Sequence, residues 1–174
     1  MLNRAWQLRA KNSILFRRRN ACYRSFSRTD EYSLLRSEHG ETGESGFRSE
    51  ATGELRRRYP TANELVYDNY NFFVIGYSTT ERPSDCMFSL AANAKGVGLS
   101  FYYGSTLPDP HKILLGSGNQ NRFVRLPDTA TLSKPEVKEL MHAAVVQAEP
   151  PLPTAGRGKL IIRSIAAKQR PRKS

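Results

Sequence analysis

Three runs of β-forming residues follow one another with only short polar breaks, and this constrains the fold more than any other feature of the chain. Phe72-Phe73-Val74-Ile75-Gly76-Tyr77 is closed by the turn-like Ser78-Thr79-Thr80-Glu81-Arg82-Pro83. Cys86-Met87-Phe88-Ser89-Leu90-Ala91 comes next, then Val97-Gly98-Leu99-Ser100-Phe101-Tyr102. In the last run Val97, Leu99 and Phe101 alternate with Gly98, Ser100 and Tyr102, the period-two pattern of an antiparallel sheet covered on one side. Phe123-Val124-Arg125-Leu126 and Lys159-Leu160-Ile161-Ile162-Arg163-Ser164-Ile165 add two further strands. Strands grouped together with helices at the ends predict an α+β fold, a small antiparallel β-sheet packed against helices, and not alternating βαβ units.

Helical signals are fewer. After Leu132, the apolar residues Val137, Leu140, Met141, Ala144, Val145 and Ala148 fall on one stripe, opened by a Ser133–Glu136 capping box and stopped by Pro150-Pro151-Leu152-Pro153. Thr61-Ala62-Asn63-Glu64 matches a second box and predicts a helical turn carrying Leu65 and Val66 inward. Leu107-Pro108-Asp109-Pro110 reads as a further helix start, with Asp109 as N-cap, Pro110 in the first turn and Gly116 as the stop.

The 174 residues suit one modest domain, and a hydrophobic fraction of 39% is enough for a core. No stretch approaches the roughly 20 apolar residues of a membrane helix, so a soluble chain with no membrane partner is expected. The net charge of +11 is carried by the ends: residues 1–29 hold +8 and residues 157–174 hold +7, both without an acid, while the middle is slightly acidic. Basic tails are more often solvated arms than folded grooves, which leaves nucleic-acid binding through Arg157, Arg163, Lys168, Arg170 and Arg172 as an alternative function. The Arg-rich, acid-free N-terminus has the composition of an organellar transit peptide, with mitochondrial localisation as its consequence. Its rival is an extension that does not fold, since residues 36–54 are rich in Ser, Gly and Glu without periodicity. The expected organisation is an extension over 1–54, a domain over 55–166 and a basic tail over 167–174.

No catalytic constellation emerges, so enzymatic activity of an unknown class is the least favoured reading. His39, His111 and His142 are far apart, and neither C-x-x-C nor H-E-x-x-H occurs. No G-x-S-x-G elbow marks a nucleophile. Gly116-Ser117-Gly118-Asn119-Gln120-Asn121-Arg122 lacks the P-loop pattern and reads as a helix stop plus turn. The two cysteines, Cys22 and Cys86, sit in unrelated contexts, which favours a reducing compartment and a buried, inert Cys86. The aromatics Tyr67, Tyr70, Phe72, Phe73, Phe101, Tyr102 and Tyr103 suggest a stacking platform for single strands. Against it stand the acids Glu64, Asp68 and Asp85, because such a groove should be basic.

Five blocks of the sequence carry a resemblance. They are Glu64-Leu65-Val66-Tyr67-Asp68-Asn69-Tyr70-Asn71, Glu81-Arg82-Pro83-Ser84-Asp85, Leu107-Pro108-Asp109-Pro110, Leu115-Gly116-Ser117-Gly118, and the stretch from Arg163 to Arg172. In this order they resemble the YdhG-like family of bacterial proteins of unknown function, over about residues 55–172. The resemblance implies a compact α+β domain and favours a cytoplasmic protein. Some members carry an iron-chaperone, frataxin-like label, which makes Glu64, Asp68 and Asp85 the carboxylates of interest. With Tyr67, Tyr70 and Lys95 they form the candidate site of a non-enzymatic binding or chaperone-like module for a metal ion or small ligand. The family's leading amphipathic helix has a reduced counterpart here: Gly43 to Arg58 is rich in Gly, Glu and Arg, and only Leu55 through Tyr59 could serve. Gly96 stands where the family has an aromatic after Lys95.

Overall fold

The structure, a computed structural model, describes residues 43–93 and 95–165. The targeting reading of residues 1–29, Cys22, His39, and the tail residues Lys168, Arg170 and Arg172 lie outside the described residues. In chain order the elements are α1 (Gly43–Arg58), β1 (Asn63–Asp68), β2 (Phe72–Ser78), β3 (Cys86–Asn93), β4 (Gly96–Phe101), β5 (Arg122–Leu126), α2 (Pro135–Val146) and β6 (Leu160–Ile165). The strands form one sheet in the order β5-β4-β3-β2-β1-β6. β1 to β5 make the antiparallel meander that short turns require. β6 lies parallel to β1, which corrects the all-antiparallel expectation. The reason is topological: Gln147, just after α2, meets Tyr103 at the end of the sheet where β4 finishes and β1 starts, so the chain re-enters the sheet from that end. The fold is α+β, a mixed six-stranded sheet with two helices.

The register sorts every strand residue onto one of two faces. The rows Glu64–Tyr77–Phe88–Phe101, Val66–Ile75–Leu90–Leu99–Val124 and Asp68–Phe73–Ala92–Val97–Leu126 share the inner face, and of these residues only Val97 is not fully buried. Phe88 sits at the centre of the aromatic part of this core, with ring centroids 5.2 Å from Tyr59, 5.5 Å from Tyr77 and 6.3 Å from Phe101. Burial of each such ring contributes about 1.5–3 kcal/mol. Leu132, Val137, Leu140, Met141 and Ala144 supply the helical side of the core, so the stripe read from the sequence is the packed face of α2.

α1 corrects the expectation of a shortened helix. It spans 16 residues, including 43–54, which the sequence assigns to the extension. Its apolar contribution is small, mainly Ala51 and Leu55, and polar anchors hold it instead. Tyr77 donates its hydroxyl to the Thr52 carbonyl at 3.4 Å, Arg48 lies 4.9 Å above the Phe73 ring, and Arg58 donates to the Leu132 carbonyl at 2.7 Å. Glu54 pairs with Arg57 and Arg58 along the helix surface, the one-turn spacing at which such pairs meet.

Three cap assignments are also corrected. Thr61–Glu64 starts no helix, because the Glu64 carboxylate turns to Arg56 and Asn63–Asp68 is claimed on both edges by β2 and β6. Asp109 accepts from the N–H groups of Ile113 (3.0 Å) and Leu114 (2.8 Å), four and five residues on and beyond the positions a helix cap reaches, and no helix follows. Lys112 adopts φ 52°, which breaks the helical repeat, and Leu115 is drawn into a bridge with Phe123. The Gly116 loop therefore follows a bridge, and its φ of 105° is one that glycine adopts without strain. Ser133 does not cap α2: it ends a 3-10 turn capped by Asp128, and its hydroxyl accepts from Arg58 at 3.0 Å. The helix begins one residue later at Pro135, with Lys134 held extended as residues before proline are.

Candidate functional site

The six residues expected to hold a ligand do not converge. Glu64 and Asp68 share the inner face but lie four positions apart on β1, roughly 13 Å in strand geometry. Both are buried, and Glu64 is gripped by Arg56, whose Nε and Nη2 each lie 2.8 Å from a carboxylate oxygen. Tyr67 points to the opposite face, half-buried. Burial raises its phenol above the usual range, an effect that the Arg163 charge opposes. Tyr70 is exposed in the turn between β1 and β2, where the Asn69 N–H donates to the Phe72 carbonyl at 3.0 Å. Lys95 is exposed in the turn between β3 and β4, its N–H bonded to the Asn93 side chain. Among the described residues no three His, Cys, Asp or Glu side chains are placed to share a metal ion, so the carboxylate triad implied by the iron-chaperone label is not assembled.

Asp85 lines a cleft of about 380 Å³ that none of the other five residues lines. It ends the 3-10 turn Pro83–Asp85, where Thr80 Oγ1 (2.5 Å) and Ser84 Oγ (2.7 Å) donate to its two carboxylate oxygens. These hydrogen bonds, Thr80 first, hold its carboxyl below the usual carboxylate range. Cys86 and Met87 of β3 continue the wall. Burial pushes the Cys86 thiol up to about 12, and its S–H donates to the Phe88 carbonyl at 3.3 Å, so it is an inert apolar surface, as expected.

The opposite wall comes from residues that the sequence reading did not assign to the ligand site. Tyr103, after β4, donates its hydroxyl to the Ser84 carbonyl at 3.2 Å and so bridges the cleft to the Asp85 turn. Gln147, the cap residue of α2, donates to the Tyr103 carbonyl at 3.4 Å, and the Thr106 hydroxyl lies 3.2 Å from Gln147 Oε1. Ala144, Ala148 and Glu149 complete the lining. The only hint of this wall in the sequence is the proline run after Glu149, which fixes where the helix ends and hence which residues reach the cleft. Among the described residues none of the lining is basic, and the C-terminal carbonyls of α2 bring the negative end of the helix dipole toward it. The arrangement offers two carboxylates, an aromatic ring and amide and hydroxyl groups to a small ligand, with a volume in the range of small-molecule sites.

Of the basic residues assigned to nucleic acid, Arg157 is exposed in the segment before β6. Arg163 is exposed on β6, and its guanidinium donates to the Glu81 carbonyl. Lys159 beside it pairs with the Glu81 carboxylate at 2.7 Å. Among the described residues no helix is long and apolar enough to cross a membrane. No protein-family model, no curated protein and no solved structure matches this chain, so the resemblance to the YdhG-like family stands on its five sequence blocks alone.

Proposed function

We propose that this protein is a non-enzymatic binding module for a small organic cation, an amine or guanidinium compound, held in the cleft beside Asp85. The observation that carries the reading is the charge of that cleft: Asp85 and Glu149 line it together with Tyr103, and among the described residues no basic side chain does. An ammonium group is attracted both by carboxylates and by an aromatic face. The lowered carboxyl of Asp85 keeps the site charged in mildly acidic solution. A metal-ion or iron-chaperone role in the YdhG-like manner has less support, because Glu64 and Asp68 turn into the core, away from Asp85.

The test is a titration of the protein with agmatine, followed by amide chemical shifts, with glutarate as an anionic control. Agmatine is expected to move the resonances of Asp85, Tyr103, Gln147 and Glu149. Asp85→Asn and Glu149→Gln are each expected to weaken it by about fivefold, the worth of a part-exposed ion pair of roughly 1 kcal/mol. Equal shifts with glutarate, or undiminished affinity in both variants, would overturn the proposal.

A further inference from the structure

The outer face of the sheet presents a second surface, built from residues other than those that line the cleft. The row Tyr67–Val74–Ala91–Gly98–Arg125 crosses β1 to β5 on that face, and Leu65–Gly76–Ser89–Ser100–Phe123 runs beside it. The helices lie on the inner face, where α1 anchors to Tyr77, Phe73 and Glu64. Small side chains make the floor of the first row, and it spans about 19 Å across five strands at their usual spacing.

Alternation puts Phe72 on this face two positions before Val74, with 42% of its surface exposed. Tyr67 and Phe72 are therefore diagonal neighbours, about 7–8 Å apart by strand geometry. The acids that argued against a stacking platform are elsewhere: the register turns Glu64 and Asp68 to the inner face, and neither outer row contains a carboxylate. At the β6 margin Glu81 is paired with Lys159, and its carbonyl takes a hydrogen bond from Arg163. Arg125 is exposed at one end of the Tyr67 row and Arg163 is exposed on the neighbouring edge strand. β6 ends at Ile165 opposite Asp68, at the Tyr67–Phe72 end of the sheet, and Lys168, Arg170 and Arg172 follow it in the sequence.

We propose that this outer face binds single-stranded nucleic acid, with Phe72 and Tyr67 stacking on bases and Arg125 and Arg163 meeting the backbone. An exposed Phe72 beside a half-buried Tyr67, on sheet rows that hold no carboxylate and end at Arg125, offers what such a surface requires: stacking that tolerates any base, and cationic contact with the strand.

Fluorescence anisotropy of the full chain with a labelled oligothymidylate of about 12 nucleotides, within the usual site size, tests this against a duplex of equal length. Preference for the single strand is expected. Phe72→Ala should weaken binding about tenfold, the scale of one lost stacking contact, and Phe72→Trp should keep it. Arg125→Ala should reduce the slope of log affinity against log salt by about one phosphate contact. Circular dichroism checks that the variants fold, as expected for side chains outside the core. Absence of binding, equal binding of duplex, or binding unchanged by Phe72→Ala and abolished by removing residues 166–174 would each overturn the proposal, the last by assigning all affinity to the tail.

Discussion

Replacing Arg56 by methionine decides whether Glu64 is a structural group or a ligand group. The Glu64 side chain is 1% exposed and takes two 2.8 Å hydrogen bonds from Arg56, whose side chain keeps 24% exposure. Removing one member of a buried ion pair costs about 3–5 kcal/mol, because the remaining charge stays away from water. Arg56 is partly solvated, so water can enter the space it leaves, and the lower end of that range, about 3 kcal/mol, is expected. For a domain of this size the midpoint of thermal unfolding should fall by about 10 °C. The double variant Arg56→Met/Glu64→Met removes both charges and leaves groups of similar volume, so it should lie within about 1 kcal/mol of the parent. The measurement is urea unfolding of the parent, both single variants and the double variant, followed by far-ultraviolet circular dichroism, which yields the coupling energy directly. A cost for Arg56→Met below about 1 kcal/mol, or a double variant as unstable as the two singles added, would refute the assignment of Glu64 to the scaffold.

Three further outcomes follow from local geometry. Gly53 lies inside α1, and a Cβ there would meet only Arg57 Nη1, at 3.7 Å, so Gly53→Ala should stabilise the protein by about 0.5–1 kcal/mol. Unchanged stability in urea would mean that residues 43–54 do not contribute a helix. Cys86 should react slowly with a thiol reagent at pH 8 in a Cys22→Ser background and at full speed once urea unfolds the chain, and rapid labelling of the folded protein would contradict its burial. Because burial raises its thiol from 9.0 to about 12, the folded state holds that proton more tightly than the unfolded chain. Its contribution to stability is complete below pH 9.0 and is lost as pH rises toward about 12, which unfolding at graded pH measures.

Much of the sheet was legible because alternation is a local property. The runs at 72–77, 86–91 and 97–102 became β2, β3 and β4 nearly residue for residue, and the Val137–Ala144 stripe became the inner face of α2. The cap motifs were less reliable. Ser133 and Thr61 each stand three residues before a glutamate, yet Arg58 engages Ser133 from 75 residues away and Arg56 draws Glu64 to α1. α1 was hidden for a related reason: its arginines are anchors to Glu64, Leu132 and the Phe73 ring, and a composition rich in Gly, Glu and Arg does not announce partners that lie on other elements. In the candidate site, Asp85 was identified, whereas Tyr103, Gln147 and Glu149 were not, since they reach the cleft only through the ends of β4 and α2.

The sequence by itself determined the α+β class, the antiparallel meander, the packed stripe of α2 and the concentration of positive charge at the two ends. Each follows from periodicity or composition along a short stretch of chain. Only the tertiary structure decided that β6 runs parallel to β1, that Glu64 and Asp68 face inward while Tyr67 and Phe72 face outward, and that Asp85 meets Glu149 across a cleft. Those facts depend on register and on contacts between residues far apart in the chain. A shift of one residue along β1 would exchange its buried acids for its aromatic ring, and no local pattern carries that information.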